Sequence, residues 1–219
     1  MTWDWQYTLS ILPDLARAAI ITVEATFISF FFALILGLVL ALLRMKGGVI
    51  GWISSVFVEM IRSTPLLIQI FFIFFVLPRY GIALDAFTAG IIALSVHYGC
   101  YCSEVYRAGI EAVPRGQWEA CIALNVSGWN TFKNIVLPQA IPPIVPVLGN
   151  YLVALFKDTP LLSAIAVLEL VQTAKILGSE NFRYTEPMTI VGITFLILSL
   201  ISSAGIRWVE RRLNLRSVR

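Results

Sequence analysis

Long intervals without a charged residue alternate with short polar segments along most of this 219-residue chain. Five such intervals contain 16 to 23 residues: Ala25–Leu43, Ser63–Pro78, Ala86–Ser103, Asn134–Phe156 and Pro187–Ile206. The hydrocarbon core of a bilayer is about 30 Å thick, and a helix needs roughly 17 to 25 residues to cross it. The pattern therefore predicts an all-α integral membrane protein with five transmembrane helices.

Flanking residues extend the intervals to five expected spans, at about residues 15–44, 56–78, 86–110, 138–157 and 187–208. The second reaches spanning length only if Val56–Ile61 continue its helix, with Glu59 and Arg62 at the interface. A sixth run, Thr159–Leu168, has 10 residues and cannot cross. It predicts a short or re-entrant outer helix packed within the protein. We expect a single transmembrane domain over residues 1–219.

Glycine and proline positions refine these boundaries. Gly47–Gly48 predicts the end of the first helix just after Arg44. Thr64–Pro65 opens the second interval with a proline in a first helical turn, where its missing N–H costs little. Four prolines predict a kinked or irregular start of the fourth span: Pro138, Pro142, Pro143 and Pro146. The segment Val171–Glu186 is expected to be a polar outer connection.

Composition excludes several classes of protein. Hydrophobic residues make up 58% of the chain and charged residues 13%, whereas an ordinary soluble domain carries about 25% charged residues. The net charge of +3 is small and dispersed between apolar runs, which argues against a nucleic-acid partner. The three cysteines form neither a disulfide framework nor a zinc pattern, so we expect packing roles for Cys100, Cys102 and Cys121.

Lysine and arginine are distributed unevenly between the two sides that five spans would create. Eleven of the 16 fall on one side: Arg44, Lys46, Arg62, Arg107, Arg115, Lys133, Arg207, Arg211, Arg212, Arg216 and Arg219. On the other side fall the remaining five, Arg17, Arg79, Lys157, Lys175 and Arg183. Because cytoplasmic loops carry the excess of positive charge, the pattern predicts an N-terminus outside and a C-terminus in the cytoplasm.

The polar loop at 111–137 separates the third and fourth spans on the cytoplasmic side. After Pro114, the helical period over Arg115–Leu124 places Trp118, Cys121 and Ile122 on one side of a short helix. That helix is roughly 15 Å long, too short to cross a membrane and suited to lie in a groove. Asn125 falls where a left-handed C-terminal cap is expected. A turn and a second helical piece, Thr131–Asn134, should follow.

Spacing within this loop is specific. Glu119-Ala120-Cys121 is followed after three residues by Asn125, after nine more by Ile135, and after one more by Leu137-Pro138. This resembles the EAA signature, EAA-x3-G-x9-I-x-LP, of permease subunits of bacterial ABC importers. Cys121 replaces the second alanine and Asn125 the glycine. Both changes are physically mild, because Cys is small and Asn tolerates the left-handed backbone.

Four other stretches resemble the branch of this family that takes up polar amino acids: Glu59–Phe75, Glu104–Trp118, Val136–Ala140 and Leu155–Ser163. Together with the loop, they are spread over most of the chain. The resemblance implies a transported solute that is a polar amino acid or a related zwitterion. A compatible solute such as ectoine is a further option, because systems for such solutes resemble this branch closely.

The resemblance also implies an assembly in the bacterial inner membrane. A five-helix permease core would dimerise with a second copy or a homologous permease. Two ATP-binding subunits would bind from the cytoplasm, and an extracytoplasmic solute-binding protein would deliver the solute. The family's coupling helix corresponds to Arg115–Asn125. The ATPase-coupling residues that this implies are Arg115, Gln117, Trp118, Glu119, Ala120, Cys121, Leu124 and Asn125.

No phosphate-binding loop of the form GxxxxGK[ST] is present in the sequence. Hydrolysis of ATP by that route is therefore expected on a partner subunit, which would hold ATP and Mg²⁺. This chain is not expected to be an enzyme or to need a cofactor or metal of its own.

Polar residues at membrane depth are costly and indicate a transport pathway. Lys157 and Asp158 end the fourth span just before Pro160, and a cation beside an anion would suit a zwitterion; a local ion pair is the alternative. The candidate pathway residues are Asp158, Lys157, Thr159, Glu104, Tyr98 and His97.

Each of the other candidates also has a structural alternative. Glu104 has Arg107 three residues later as an ion-pair partner, and His97, Tyr98 and Tyr101 could be ordinary helix-packing groups. Glu24, in the first span, has Arg17 two turns earlier on the same face.

Two other functional classes fit the sequence less well. An ion-coupled secondary transporter or channel subunit would carry its own coupling ion, but no internal repeat is apparent and few acidic residues lie in series. A membrane scaffold or intramembrane enzyme is the other class, and the sequence holds no Ser/His/Asp set, paired aspartates or HExxH motif. The favoured function is therefore a transmembrane importer subunit that works by alternating access.

Overall fold

The computed structural model describes residues 3–212, and of Arg212 the backbone alone. Arg216 and Arg219, counted above for orientation, lie outside these residues. The described chain is helical throughout, without a β-strand: α1 (Trp5–Met45), α2 (Gly48–Arg62), α3 (Leu66–Phe71), α4 (Ala86–Glu111), α5 (Arg115–Ala123), α6 (Gly128–Thr131), α7 (Leu137–Asp158), α8 (Leu170–Glu180) and α9 (Thr185–Arg212). The all-α prediction is confirmed.

Three helical stretches are long and apolar enough to cross a membrane: Trp5–Met45, Gly128–Ile165 and Thr185–Arg211. The pair Gly48–Arg62 and Leu66–Tyr80 would be a fourth if it forms one bent span. Helix α4 has 26 residues, and many of its buried residues are small or polar. Such a composition is typical of a membrane helix that faces other helices rather than lipid. A total of five spans remains a prediction.

Helices α1 and α4 form the most extensive contact in the fold. The buried face of α1 consists largely of small residues, including Ala25, Ser29, Ala33 and Ala41. At Gly37 the two backbones come so close that a Cβ would lie 2.6 Å from Cβ of Cys102. Close approach through small residues is how membrane helices gain packing energy, because lipid supplies no hydrophobic drive between them.

All three cysteines are free and buried. Cys102 packs against the α1 backbone at Gly37, as described above, and Cys100 belongs to a cluster with Leu40 and Val58. Cys121 is 6% exposed on α5. The packing roles expected for the cysteines are confirmed.

The second expected span, 56–78, is not one continuous helix. Helix α2 ends at Arg62, and the stretch Leu66–Tyr80 leaves it at an angle of 106°. Pro65 at the corner has an extended backbone, with φ −61° and ψ 136°, and a proline disfavours helical conformation in the residue before it. Val56–Ile61 therefore does not continue into the second interval as expected. The break expected at Gly47–Gly48 is present, with both φ values positive.

The proline-rich segment remains helical. Helix α6, a π-helical turn at Phe132–Val136 and α7 follow one another without a loop, so the helix begins at Gly128 rather than at 138. Pro138 lies in the first turn of α7, with Pro142, Pro143 and Pro146 inside the helix. The irregularity expected at the prolines lies in the π turn just before them, where the hydrogen-bond register is widened.

The short run after α7 forms a 3-10 helix, Thr159–Ile165, with Leu162 and Ile165 buried in the core. This agrees with the short packed helix expected there. The segment Val171–Glu186 was expected to be only a polar connection, but most of it is helix α8. Its N-cap is the fully buried Glu169, whose carboxylate accepts hydrogen bonds from the N–H groups of Val171 and Gln172.

Glu169 lies between the 3-10 helix and α8, outside the long apolar helices. Burial raises the pKa of its carboxyl above the usual range, although the two backbone hydrogen bonds and Lys175 favour the charged form and oppose the shift. The carboxylate therefore provides the helix cap at a cost in desolvation.

The outer part of α1 differs from expectation. The helix begins at Trp5, ahead of the expected span start near Leu15, because Asp4 caps it by accepting a hydrogen bond from the N–H of Tyr7. Arg17 pairs with Asp14 at 3.6 Å rather than with Glu24. Glu24 is exposed on the surface of α1.

Candidate functional site

Helix α5 lies between α4 and the long α6–α7 helix, at the end of the bundle where α4 finishes and α6 begins. Pro114 precedes it with an extended backbone. Asn125 follows it with φ 53°, and the N–H of Val126 returns to the carbonyl of Cys121 at 2.9 Å. The short helix and its left-handed Asn125 cap were both expected, because asparagine adopts this conformation more readily than other non-glycine residues.

Only one side of α5 is held by the rest of the chain. Cys121 is buried, and the half-buried Trp118 packs against the cluster that contains Ile110, Val113 and Val136. Ile122 was expected on the same side, but it is 77% exposed. The exposed candidates are Arg115, Gln117, Glu119, Ala120, Leu124 and Asn125. Two apolar side chains, Ile122 and Leu124, are thus exposed on a helix whose opposite side packs against the rest of the protein.

A second group of polar residues lies inside the helix bundle. The hydroxyl of Tyr98 on α4 donates a hydrogen bond to Oδ2 of Asp158, at the end of α7, over 2.6 Å. The rings of Tyr98, Tyr101 and Tyr151 lie with centroids 5.8 to 6.5 Å apart. We call Tyr98, Tyr101, Tyr151 and Asp158 the tyrosine cluster. Aromatic rings at these separations contact one another edge to face or tilted.

His97 borders this cluster, with its ring centroid 5.1 Å from that of Tyr101. Its Nδ1 is 3.1 Å from Oε1 of Gln69. The Gln69 amide also donates to the carbonyls of Ile61 and Thr64, at 2.7 and 3.0 Å. Gln69 therefore ties the corner between α2 and α3 to α4.

Glu104 forms the centre of a separate ionic cluster. Its Oε1 accepts from Arg44 at 2.7 Å and lies 3.4 Å from Arg62, while its Oε2 accepts from Arg107 at 2.8 Å. The pairing of Glu104 with Arg107, which was the structural alternative, is thus present together with two further arginines. The Arg62 guanidinium also lies over the Tyr101 ring, 5.2 Å from its centroid, and so connects the two clusters.

Two sequence candidates lie apart from the tyrosine cluster. Lys157 is exposed and lines a cleft with residues of α9 such as Phe195 and Ser199. Within the described residues it does not form the local ion pair with Asp158 that was the structural alternative. Thr159 is fully buried, and its hydroxyl donates to the carbonyl of Phe156 at 2.8 Å. Asp158, Tyr98 and His97 are brought together; Lys157, Thr159 and Glu104 are not part of that group.

Three residues of the interior were missed from the sequence: Gln69, Arg62 as a cluster member, and Tyr151. Gln69 had a usable signal, since it is the only strongly polar side chain within Leu66–Val76. Arg62 was placed at the membrane interface, and its inward orientation depends on the bend after α2. Tyr151 is one aromatic residue among many and carried no distinguishing pattern.

The family described as "Binding-protein-dependent transport system inner membrane component" matches residues 33–215 of this chain. The chain belongs to this family. A relative in Sinorhizobium fredii, the probable amino-acid ABC transporter permease protein y4tG, is 45% identical over 99% of this chain and 96% of its own length. The L-cystine transport system permease protein TcyB of Bacillus subtilis is 39% identical over 94% of this chain and 88% of its own.

Solved structures agree with this assignment. The crystal structure of an amino acid ABC transporter with histidines aligns with a TM-score of 0.90 and 34% identity, over 97% of this chain and 100% of that one. An inward-facing MetNI methionine ABC transporter aligns with a TM-score of 0.78 over 93% and 98%. At 22% identity, the second likeness concerns the fold alone.

Family membership confirms the resemblance inferred from the EAA-like spacing. The chain is a membrane-spanning permease subunit of an ABC importer of the inner membrane. ATP hydrolysis belongs to a separate subunit, and the family works with a solute-binding protein. An ion-coupled secondary transporter or channel is not favoured.

Proposed function

We propose that this chain lines the path of an ATP-driven importer for a polar amino acid or a similar zwitterion. The names of several relatives support the substrate class: one is named for L-cystine and another, the GlnP protein of Escherichia coli, for glutamine at 32% identity. The observation that carries the proposal is the hydrogen bond between Tyr98 and Asp158, which holds a carboxyl group between α4 and α7 inside the helix bundle.

Asp158 is the residue best suited to contact the solute. A carboxylate inside a membrane protein is costly unless it is paired, and its only hydrogen-bond partner that the structure describes is the neutral hydroxyl of Tyr98. An ammonium group could therefore replace or join this hydroxyl and give the carboxylate a charged partner. His97 would line the same space. Thr159 stabilises the backbone next to Asp158 through its hydrogen bond to Phe156. Lys157 and Glu104 lie outside the tyrosine cluster and are not proposed to contact the solute.

The proposed assembly has two permease subunits, identical or homologous, two ATPase subunits and one solute-binding protein. The exposed side of α5 supports docking of an ATPase, because its apolar Ile122 and Leu124 stand beside the charged Arg115 and Glu119. Such a mixture of apolar centre and polar rim is typical of protein interfaces. Closure of the ATPases on ATP would then move α5 and, through α6, the long helix that ends at Asp158.

The proposed orientation places the N-terminus outside and α5 in the cytoplasm. It is supported by the excess of lysine and arginine on the α5 side. Residues Trp5, at the start of α1, and Asp158, at the end of α7, then both lie toward the outer side.

Reconstitution tests the function. The chain is co-expressed with the ATPase and solute-binding protein encoded with it, and the purified complex is placed in liposomes with ATP inside the compartment that the ATPases face. We expect uptake of a radiolabelled polar amino acid that requires ATP and the binding protein. Uptake by the chain alone, driven by a sodium or proton gradient, would contradict the proposal.

Substrate identity is read from the same system. Unlabelled cystine, glutamine, arginine and ectoine are added in turn as competitors. Competition by an amino acid supports the proposed class, whereas competition by ectoine alone would move the chain to the compatible-solute group.

A further inference from the structure

The turn between α8 and α9 presents one phenylalanine almost entirely to the outside. Phe182 is 84% exposed, the largest value among the exposed large hydrophobic residues of the described chain. Its backbone is left-handed, with φ 51°. Both features are unfavourable for phenylalanine. Exposure of its ring to water costs hydrophobic free energy, and its Cβ crowds the backbone in the left-handed region.

Glycine is the usual residue at this position after a helix. A phenylalanine in its place gains little from packing against the described part of the chain, since the side chain is 84% exposed there. Backbone strain that the fold itself does not need is a reason to look for a function.

The turn is held firmly on both sides of Phe182. The N–H of Arg183 donates to the carbonyl of Gly178 at 2.9 Å, and the Arg183 guanidinium pairs with Glu186, which is 2% exposed. The Tyr184 ring packs on Gly178, where a Cβ would lie 2.6 Å from Cδ1 of that ring. Phe182 is therefore an exposed aromatic ring on a braced support.

The turn lies at the opposite end of the bundle from α5. Helix α7 runs from the α5 side to Asp158, and α9 starts beside that far end, where Glu186 also accepts a hydrogen bond from the N–H of Asp4. In the proposed orientation this is the outer surface, from which a solute-binding protein approaches. Phe182 is preceded in sequence by the exposed polar residues Ser179, Glu180 and Asn181.

We propose that Phe182 is an anchor for the extracytoplasmic solute-binding protein, inserting its ring into an apolar pocket on that partner. The proposal rests on the proposed function, because it requires the partner and the orientation given there. An aromatic side chain on a rigid support, next to exposed polar residues, is a common form of an interface hot spot. Pre-organisation of the turn lowers the entropy that binding must overcome.

The test measures binding of the solute-binding protein encoded with this chain, purified with its solute, to the assembled importer in nanodiscs of phosphatidylethanolamine and phosphatidylglycerol. We expect Phe182→Ala to raise Kd at least about tenfold, as a hot-spot residue does. The matched control is Phe31→Ala, which removes a 59% exposed phenylalanine from the middle of α1. That variant should bind within twofold of the wild type.

A glycine variant separates docking from folding. Phe182→Gly relieves the left-handed strain, so the complex should melt at the same temperature as the wild type or higher, yet lose the same affinity as the alanine variant. The proposal would be overturned if the Phe182 variants lost affinity only to the extent that their melting temperatures also fell.

Two further outcomes are decisive. If the wild-type complex and the Phe182→Ala variant bind the partner equally well, the anchor role is wrong and the proposed function stands. If, in that case, the melting temperature of the variant falls in nanodiscs but not in detergent, the Phe182 ring belongs to the membrane interface. If the wild-type complex itself does not bind the partner, the proposed function fails as well.

Discussion

The hydroxyl of Tyr98 and the carboxylate of Asp158 meet at 2.6 Å, although 60 residues separate them in the chain. The bond joins the middle of α4 to the last turn of α7. Tyr98 is 5% exposed, so the hydroxyl has little access to water and depends on this acceptor. A short hydrogen bond to a carboxylate in such surroundings is among the stronger kinds.

Asp158→Asn is predicted to lower solute uptake while leaving assembly intact. The amide keeps the size of the side chain and can still accept from Tyr98, but it cannot attract an ammonium group. We expect initial uptake to fall at least about tenfold, equivalent to about 1.4 kcal/mol. The measurement is ATP-driven uptake by the reconstituted complex.

Tyr98→Phe is the complementary control for this substitution, because it removes the hydrogen bond and keeps the charge, whereas Asp158→Asn removes the charge and keeps an acceptor for the hydroxyl. It should reduce uptake less than Asp158→Asn does. Equal uptake by Asp158→Asn and the wild type would remove Asp158 from the pathway.

Glu119→Lys is predicted to uncouple the ATPase from transport. Glu119 is exposed on α5 and makes no ion pair within the described residues, so the reversal of charge should act on the docking partner rather than on the fold. We expect normal amounts of protein in the membrane but little stimulation of ATP hydrolysis by the solute-loaded binding protein. The control is Glu24→Lys, a charge reversal at an exposed glutamate of α1, outside α5 and outside the turn that carries Phe182. Normal stimulation with Glu119→Lys would refute the coupling role.

Glu104→Gln is predicted to destabilise the subunit. Three arginines surround this carboxylate, whose side chain is 21% exposed, and its neutralisation leaves them facing one another. Breaking a partly buried network of this kind costs about 2 kcal/mol, which corresponds to a fall of roughly 4 to 8 °C in melting temperature for a chain of this size. Glu111→Gln is the control, because Glu111 is 53% exposed and, among the residues that the structure describes, forms an ion pair with Arg107 alone. A smaller effect for Glu104→Gln than for the control would contradict the network.

Gly37→Ala is predicted to loosen the contact between α1 and α4. The added Cβ would lie 2.6 Å from Cβ of Cys102 and 2.9 Å from the carbonyl of Gly99, so a backbone must move. Over-packing of this kind costs about 1–3 kcal/mol. Gly192→Ala serves as the comparison, since nothing lies within 4 Å of the added atom. Melting in detergent should separate the two variants, and equal melting temperatures would show that the helices can part without cost.

Glu169→Gln is predicted to change the pH dependence of stability. Because burial raises the pKa of this carboxyl, the folded state holds its proton to higher pH than the unfolded state does. The folded state is therefore favoured at low pH and loses that advantage as pH rises through the folded pKa. The amide of the Glu169→Gln variant keeps an oxygen that accepts the capping hydrogen bonds but carries no charge. The melting temperature of the variant minus that of the wild type should therefore be larger at pH 8 than at pH 4. A constant difference across that range would argue that Glu169 remains ionised at no cost.

Periodicity and charge predicted the helices that are long and apolar, because their signal lies in the chain itself. The α5 helix with its Asn125 cap was predicted for the same reason: its proline start and its asparagine end are local features. Asp158 and Tyr98 could be named as polar residues at membrane depth, but their contact depends on how α4 and α7 pack. Sequence alone does not contain that distance.

The errors have physical causes. A proline in an apolar interval was read as the first turn of a span, whereas the extended Pro65 makes a corner of 106° that brings Arg62 and Gln69 inward. Helix α8 was missed because its cap is a glutamate, which is an uncommon N-cap residue. Lys157 and Asp158 were assigned to one candidate site because they are neighbours in sequence, yet adjacent residues on a helix point about 100° apart.

The unbroken helix from Gly128 to Ile165 has 38 residues and is on the order of 57 Å long. One end lies next to α5, which a short turn at residues 124–127 joins to it, and Asp158 lies close to the other end. Apart from that turn, continuous helix connects the surface that should meet an ATPase to the carboxylate of the tyrosine cluster. A movement at one end must therefore either rotate the whole helix or bend it. The prolines at 138, 142, 143 and 146 remove four backbone donors from its first half, so that half is the more easily bent part of the helix.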